Sequence, residues 1–508
     1  MASEGNMQQV QAREHGQMRG LVKGQVQGQV QGQAQGPTQG KAQGQAVGQA
    51  GEHAHGKWNR AVGVVGSVRR RAAALGLGAS CALGALALAG IGSLPSGALA
   101  QGKTIKIGVI YDLTGPFAAG GSRAGYLGTK YAIDMINERG GVEGYRIVPV
   151  YADAQSKTEV AINEAERLLN QEKVDLLMGV FSSAHCVPMA QKVDQARRFM
   201  WANVCVSSAV FKDKNLKYVF RPQVHSDQFG EASCTFLQEQ SKARFGKDAK
   251  ELRVAIIYED GPYGAGVASG NESTCKGFGM NVVLKEGYAA TAPDLSPLVT
   301  KLKRARPDAI LHTGYNPDIT LFLRQSKDQG LKWGALIGHG AGYGQFDKLF
   351  ETFKEDANLI FNVDPVAAQL LNPSTLAKGL GDVTAEMVKR YKAEVKADEV
   401  PPHLSMGFNQ SWIFFTDVLP RAIKKHGGID PEALRKSSLE TDIPVGGTIQ
   451  GYGVRFFQPG HPMAGQNERS SPVVMQYIAR DTFVVWPSAI KTKDPVLPLP
   501  KGHGYSYQ

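Results

Sequence analysis

Residues 104–121 read TIKIGVIYDLTGPFAAGG, and this stretch decides the fold. Ile105, Ile107 and Val109 fall on alternate positions, which predicts a strand over Thr104–Ile110. The small, backbone-rich loop from Asp112 to Gly121 lets a ligand approach the main chain, unless it is only a flexible turn. Leu127, Tyr131 and Met135 then recur every four residues, with Ala132 and Ile136 beside them, and make one helical face. The alternation continues with RIVPVYAD (146–153, strand), TEVAINEAERLLNQ (158–171, helix), VDLLMGVF (174–181, strand), VPMAQKVDQARR (187–198, helix) and FMWANVCV (199–206, strand). A helix near 227–244 opens a second series. RVAIIYED (253–260), NVVLKEGY (281–288), DAILHTGY (308–315) and KWGALIGH (332–339) read as strands, with helices from Gly264, Leu295 and Pro317 between them. Repeated βα units predict an α/β fold of parallel sheets covered by helices on both faces, and two series predict two similar doubly wound lobes.

In open α/β sheets ligands sit beyond the C-terminal ends of the strands. One such end carries Ser182, Ser183 and His185, with a helix starting directly after. Two hydroxyls beside the unpaired N–H groups of a helix start suit a carboxylate or other anion; the competing reading is a helix cap. Val206, Ser207 and Ser208 repeat the pattern one strand on. In the second series, Tyr263 (IYEDGPYG, 257–264) and Tyr315 with Asn316 (HTGYNPD, 312–318) give aromatic walls with few polar groups. Tyrosines packed at a strand–helix junction are the bland alternative. The chain has no GxSxG, Walker A, HExxH or GxGxxG sequence, so no catalytic residues, metal site or cofactor are expected. His185, His339 and His403 are scattered along the chain, and a lone histidine is more often structural.

Three arginines (Arg69–Arg71) precede a small-apolar run from Ala72 to Ile91, and Ala98-Leu99-Ala100 stands just before Gln101. That order predicts a secretory signal peptide at 61–100, cleaved near Ala100, against a retained membrane anchor. The Gly/Gln-rich residues 1–60 hold too little apolar surface to offset ordering entropy and are expected to be disordered. The chain carries +11, but residues 1–100 hold nine Lys/Arg and three Asp/Glu, leaving 48 basic against 43 acidic residues in the mature part. The basic balance belongs largely to the leader, and nucleic-acid binding loses its support. Cys186, Cys205, Cys234 and Cys275 remain after cleavage. An even count in an oxidising compartment permits two disulfides; Cys234–Cys275 with Cys186–Cys205 is the favoured pairing, and four buried free thiols is the competing state.

IKIGVIYDLTGPFAAGG, INERGGVEGYRIVPVYAD, GVFSS, SDQFG, YEDGPYG and GYNPD, in this order from about Thr104 to Trp486, resemble the periplasmic solute-binding proteins of branched-chain amino-acid-type ABC importers. The resemblance implies two lobes joined by a three-strand hinge, closing on a small-molecule ligand without chemistry. It implies lobe 1 at 101–225 plus 363–455, lobe 2 at 226–362 plus 456–490, and a C-terminal tail at 491–508. It also implies that Ser183 and Ser208, with backbone from Val206, hold a ligand carboxylate, that Tyr263 and Tyr315 close over it, and that His403 stands near a wall position. Amino-acid-binding members carry a Glu after the last strand of the second series, and here Gly340 stands in its place. The expected ligand is therefore an organic acid or amide lacking an α-ammonium, delivered by a monomeric receptor to membrane permease subunits. A sensor or regulator on the same fold is the alternative.

Overall fold

The computed structural model describes residues 103–397 and 399–507. The expected disordered leader and signal peptide lie outside the described residues. Five parallel strands form the first sheet: β1 (Thr104–Tyr111), β2 (Arg146–Asp153), β3 (Leu176–Gly179), β4 (Phe199–Ala202) and β5 (Val219–Phe220), in the order β2-β1-β3-β4-β5. β3 (LLMG) and β4 (FMWA) are buried along their whole length, as expected of strands covered on both faces.

The second sheet repeats this winding with β6 (Arg253–Glu259), β7 (Asn281–Tyr288), β8 (Ala309–Thr313), β9 (Ala335–His339) and β10 (Phe361–Asp364), in the order β7-β6-β8-β9-β10. β7 is an edge strand and is only partly buried, with Lys285 and Glu286 paired to charges on neighbouring helices. A short antiparallel ribbon, β11 (Asp442–Ile443) with β12 (Val454–Arg455), follows in the chain. β13 (Val473–Ile478) and β14 (Asp481–Trp486) then add antiparallel to the β10 edge.

Several expected strands end early, two of them in the first sheet. The apolar runs at 174–181 and 199–206 pair only as far as Gly179 and Ala202. Their remaining apolar residues, Val180, Phe181, Val204 and Val206, are buried by facing loops rather than by strand partners. The helix Pro402–Ile413 has all twelve residues buried, so it shows no polar face for periodicity to detect. It crosses the helix Arg123–Glu138 at close range. A Cβ on Gly407 would lie 1.9 Å from the Gly125 carbonyl oxygen, and one on Gly128 would lie 2.1 Å from that of Leu404. This backbone-to-backbone approach returns the C-terminal part of the chain to the first sheet. There Trp201 Nε1–H donates to the Gln410 carbonyl at 2.8 Å, and the Trp201 ring packs on Phe414 and Phe456.

Between the sheets the chain passes side by side near Arg221 and Gln466, which form a parallel bridge. Buried Arg221 donates to Gln466 Oε1 (2.6 Å) and to the Cys205 and Ser207 carbonyls (3.0 Å each). Asn467 Nδ2 donates to the Pro222 and Gly453 carbonyls. The third passage follows β10, where Gln450 Nε2 donates to the Val366 carbonyl at 2.9 Å. The molecule thus has two α/β lobes joined by three chain segments.

Cys186 is joined to Cys205 and Cys234 to Cys275, the favoured pairing. The first bond ties the helix after β3 to the loop after β4, and the second ties the helix Ser226–Gln240 to the helix Pro262–Gly277. Residues 491–507 lie against the second lobe: Leu499 N–H donates to the Gly334 carbonyl at 2.7 Å, and Tyr505 stacks on Trp333 with ring centres 4.1 Å apart.

Candidate functional site

The C-terminal ends of the two sheets face one another, as the aromatic contacts between them show. Phe117, in the loop after β1, lies 4.3 Å (ring centres) from Tyr315, which follows β8. Phe181, after β3, lies 6.3 Å from the same ring, and Tyr263 lies 5.5 Å from it on the other side.

Acidic side chains set the loops after β1, β6 and β8. Asp153 Oδ1 accepts the Leu113 N–H at 2.9 Å, Asp112 Oδ1 accepts the Ser156 N–H at 2.9 Å, and Ser156 Oγ accepts the Phe117 N–H at 3.0 Å. Burial pushes the Asp112 carboxyl up to about 7. Glu259 accepts the N–H groups of Gly261 and Gly264, which fixes the helix start that carries Tyr263. Asp318, one turn into the helix Asn316–Asp328, reaches back to the Tyr315 N–H at 2.9 Å, while its other oxygen accepts from Tyr288 Oη. Burial raises Asp318 to about 7 as well. Tyr263 Oη donates to the His339 carbonyl at 2.6 Å, which aims its ring across the cleft.

Between the sheet ends lies a cavity of about 30 Å³. By this measure one water needs roughly 10–15 Å³, so the space holds about two waters. Of the residues expected at the site, Ser183, Val206, Tyr263, Tyr315, Gly340 and His403 line this cavity, and Ser182 and Ser208 do not. Ser182 Oγ is buried with no partner at hydrogen-bond distance and faces the Tyr315 hydroxyl. Ser208 Oγ donates to Asp227 Oδ1 at 2.7 Å and is held beside Ser226 Oγ. Neither serine caps a helix in the expected way. The N–H groups of Val206 and Ser207 donate to Ser183 Oγ at 3.3 and 3.1 Å, so this side chain braces the loop after β4. Its own hydroxyl proton faces no protein acceptor that would consume it. A larger hollow of about 420 Å³, bordered by Lys392, Glu399 and Phe483, lies off the strand ends. We place the site where both sheets converge.

The three histidines do not converge. His185 sits 3.5 Å from Asp112 under the β1 loop, and His339 bonds Ser233 and Thr313 within the second lobe. His403, at the start of the helix Pro402–Ile413, alone enters the cavity. Burial lowers it to about 4, so the ring is neutral at pH 7. Gln345 Nε2 donates to its Nδ1 at 3.3 Å, which leaves Nε2 as the protonated nitrogen. Gly121, at φ 126°, gives this ring room: a Cβ there would lie 2.8 Å from His403 Nδ1.

Sequence reasoning missed Phe181 and Asp364. Phe181 stood inside the GVFSS turn. Asp364 ends the four-residue β10, just before Pro365, in a run too short to be read as a strand. Among the described residues no group of three or more His, Cys, Asp or Glu is placed to hold a metal ion, and no helix is long and apolar enough to cross a membrane.

A family model described as "Periplasmic binding protein" matches residues 104–466. The Leu/Ile/Val-binding protein homolog 7 of Brucella abortus (strain 2308) is 32% identical over 408 residues, 80% of this chain and 98% of the relative. A leucine binding protein from Thermotoga maritima MSB8 superposes with a TM-score of 0.61 at 21% identity, covering 75% of this chain and 97% of that one. An ABC transporter solute binding protein from R. palustris, solved with 4-hydroxybenzoate, gives 0.60 at 15% identity, covering 78% and 98%.

Proposed function

Because the chain belongs to the periplasmic binding protein family, whose members bind solutes and are not enzymes, we propose that it is an extracytoplasmic receptor that captures a small solute between its lobes and hands it to the permease of an ABC importer. The observation that carries this reading is the convergence of both sheets' strand ends on one cavity lined by Ser183, Tyr263, Tyr315 and His403. The proposed contacts are these four with Val206 and Gly340. Ser182 and Ser208 lie off the cavity lining.

The ligand carries an acid or amide group, which the Ser183 hydroxyl meets as donor. The relatives support both possibilities for the rest of the molecule, since one neighbour is named for leucine and another was solved with 4-hydroxybenzoate. A cavity of about 30 Å³ admits no such solute, so it enters only after the lobes part. Closure then follows from the solute's greater affinity for the closed arrangement, because contacts from both lobes exist only there. The leader at 61–100 is proposed to direct export and to be cleaved near Ala100, releasing a periplasmic monomer. The lobes are proposed to divide at 101–225 plus 363–455 and 226–362 plus 456–490.

A thermal-shift screen of amino acids, organic acids, amides and polyamines, followed by calorimetry, tests the reading. Saturable binding of one class with a one-to-one ratio is expected. A chain that binds none of them, with its lobes fixed in scattering measurements, would not be a solute receptor of this kind.

A further inference from the structure

We infer that Asp364 selects the ligand by receiving a cationic nitrogen that the captured solute carries, a protonated amine in the simplest case. This rests on the solute-receptor reading above. Asp364 ends β10, lines the cavity and is fully buried. Both of its carboxylate oxygens lack a hydrogen-bond partner. The Asn362 side chain, two residues back on the same face of the strand, is a neutral amide beside it and offers no cation. Buried carboxylates are normally paired or richly hydrogen-bonded, because an isolated one forfeits its hydration without return. An acid left open on the wall of a ligand cavity has its partner in the ligand.

The rest of the lining agrees. No lysine or arginine is among the residues that border the cavity. His403 is neutral through burial, and burial holds Tyr263 and Tyr315 far above neutrality. The cavity therefore presents one acid and no base. An acid-only ligand would face Asp364 at short range in a medium of low dielectric. A ligand with a cationic nitrogen would supply the missing charge-assisted bond.

Gly340 completes the argument. Its φ is 40°, and a Cβ there would lie 3.3 Å from Asp364 Oδ1 and 3.2 Å from Tyr263 Oη. A side chain at 340 would crowd the space that the Asp364 carboxylate fills. The expectation that the cleft lacks a partner for an ammonium considered only the loop after β9. The neighbouring strand supplies that partner.

The groups facing Asp364 are Tyr263 from the helix Pro262–Gly277, Tyr477 from β13 and His403 from the helix Pro402–Ile413. None is a cation. Burial raises the Asp364 carboxyl well above the usual carboxylate range, and a cationic ligand beside it would oppose that rise.

The test is calorimetry on the purified protein at pH 7.5. The probes are L-amino acids, monoamines and polyamines, with the des-amino carboxylic acid of each amino acid. Amine-bearing probes are expected to bind. Their des-amino counterparts should bind at least ~30-fold more weakly, and Asp364→Asn should weaken the amine-bearing ligand by at least ~30-fold. If Asp364→Asn does not fold, the amine-to-des-amino ratio of the unaltered protein decides. Des-amino acids that bind as tightly as their parents, or an Asp364→Asn protein of unchanged affinity, would overturn the role of Asp364 and leave the receptor reading standing. Absence of saturable binding by every probe would overturn both.

Discussion

Ser183→Ala separates bracing from ligand contact. Ser183 is 2% exposed, and its Oγ accepts the N–H groups of Ser207 (3.1 Å) and Val206 (3.3 Å). Alanine leaves both donors unsatisfied. Each unsatisfied buried donor costs about 1–3 kcal/mol, and the longer bond counts at the low end. Water reaching the loop from the adjoining cavity would offset part of this, so the expected loss is about 2–4 kcal/mol of stability. Typical margins are about 5–15 kcal/mol, so the variant folds. Urea denaturation at pH 7.5, fitted by linear extrapolation, reads the stability. Calorimetry with the best hit of the solute screen reads affinity, which should fall by a further ~1–3 kcal/mol as the hydroxyl donor is lost. A stability loss below ~0.5 kcal/mol would refute the bracing argument. A full stability loss at unchanged affinity would remove Ser183 from the ligand's contacts.

Gly407→Ala places a methyl 1.9 Å from the Gly125 carbonyl oxygen, so it should cost at least ~3 kcal/mol or prevent folding; a neutral effect in denaturation would mean that the two helices do not cross there. Removing the Cys234–Cys275 bond, which spans 41 residues of sequence, should cost about 4 kcal/mol in the same assay, and a Cys234→Ala/Cys275→Ala protein as stable as the parent would contradict it. His403 is depressed to about 4 in the folded chain against about 6.5 unfolded, so its contribution is complete above pH 6.5 and is lost as pH falls toward 4. The stability gap between the parent and His403→Gln should therefore be more favourable to the parent at pH 7.5 than at pH 5, and a gap independent of pH would show that His403 is not held neutral.

The βα series was legible because parallel strands covered on both faces are continuous apolar runs, as in LLMG and FMWA. Ser183, Tyr263 and Tyr315 were legible as strand ends, because doubly wound sheets bring those ends together, whereas Gly340 was reached through family resemblance. His403 was reached only through family resemblance. Its helix is buried on every side and carries no amphipathic signal. Ser208 lies off the cavity lining because its hydroxyl is held by Asp227, a contact set by how the next lobe's first helix docks and invisible to spacing. Asp364 escaped notice because β10 is four residues long and the run after it returns to the first lobe through short turns. The β13–β14 hairpin, appended antiparallel after a long detour, follows no βα rhythm.

A crystal structure of the protein with the tightest-binding solute of the screen addresses the central claim most directly. The solute is expected between the two sheets' strand ends, touching Ser183 from one lobe and Tyr315 and Asp364 from the other, with the lobes closed around it. A solute lodged elsewhere, such as the hollow beside Glu399 and Phe483, with the strand-end cavity unchanged, would contradict the account.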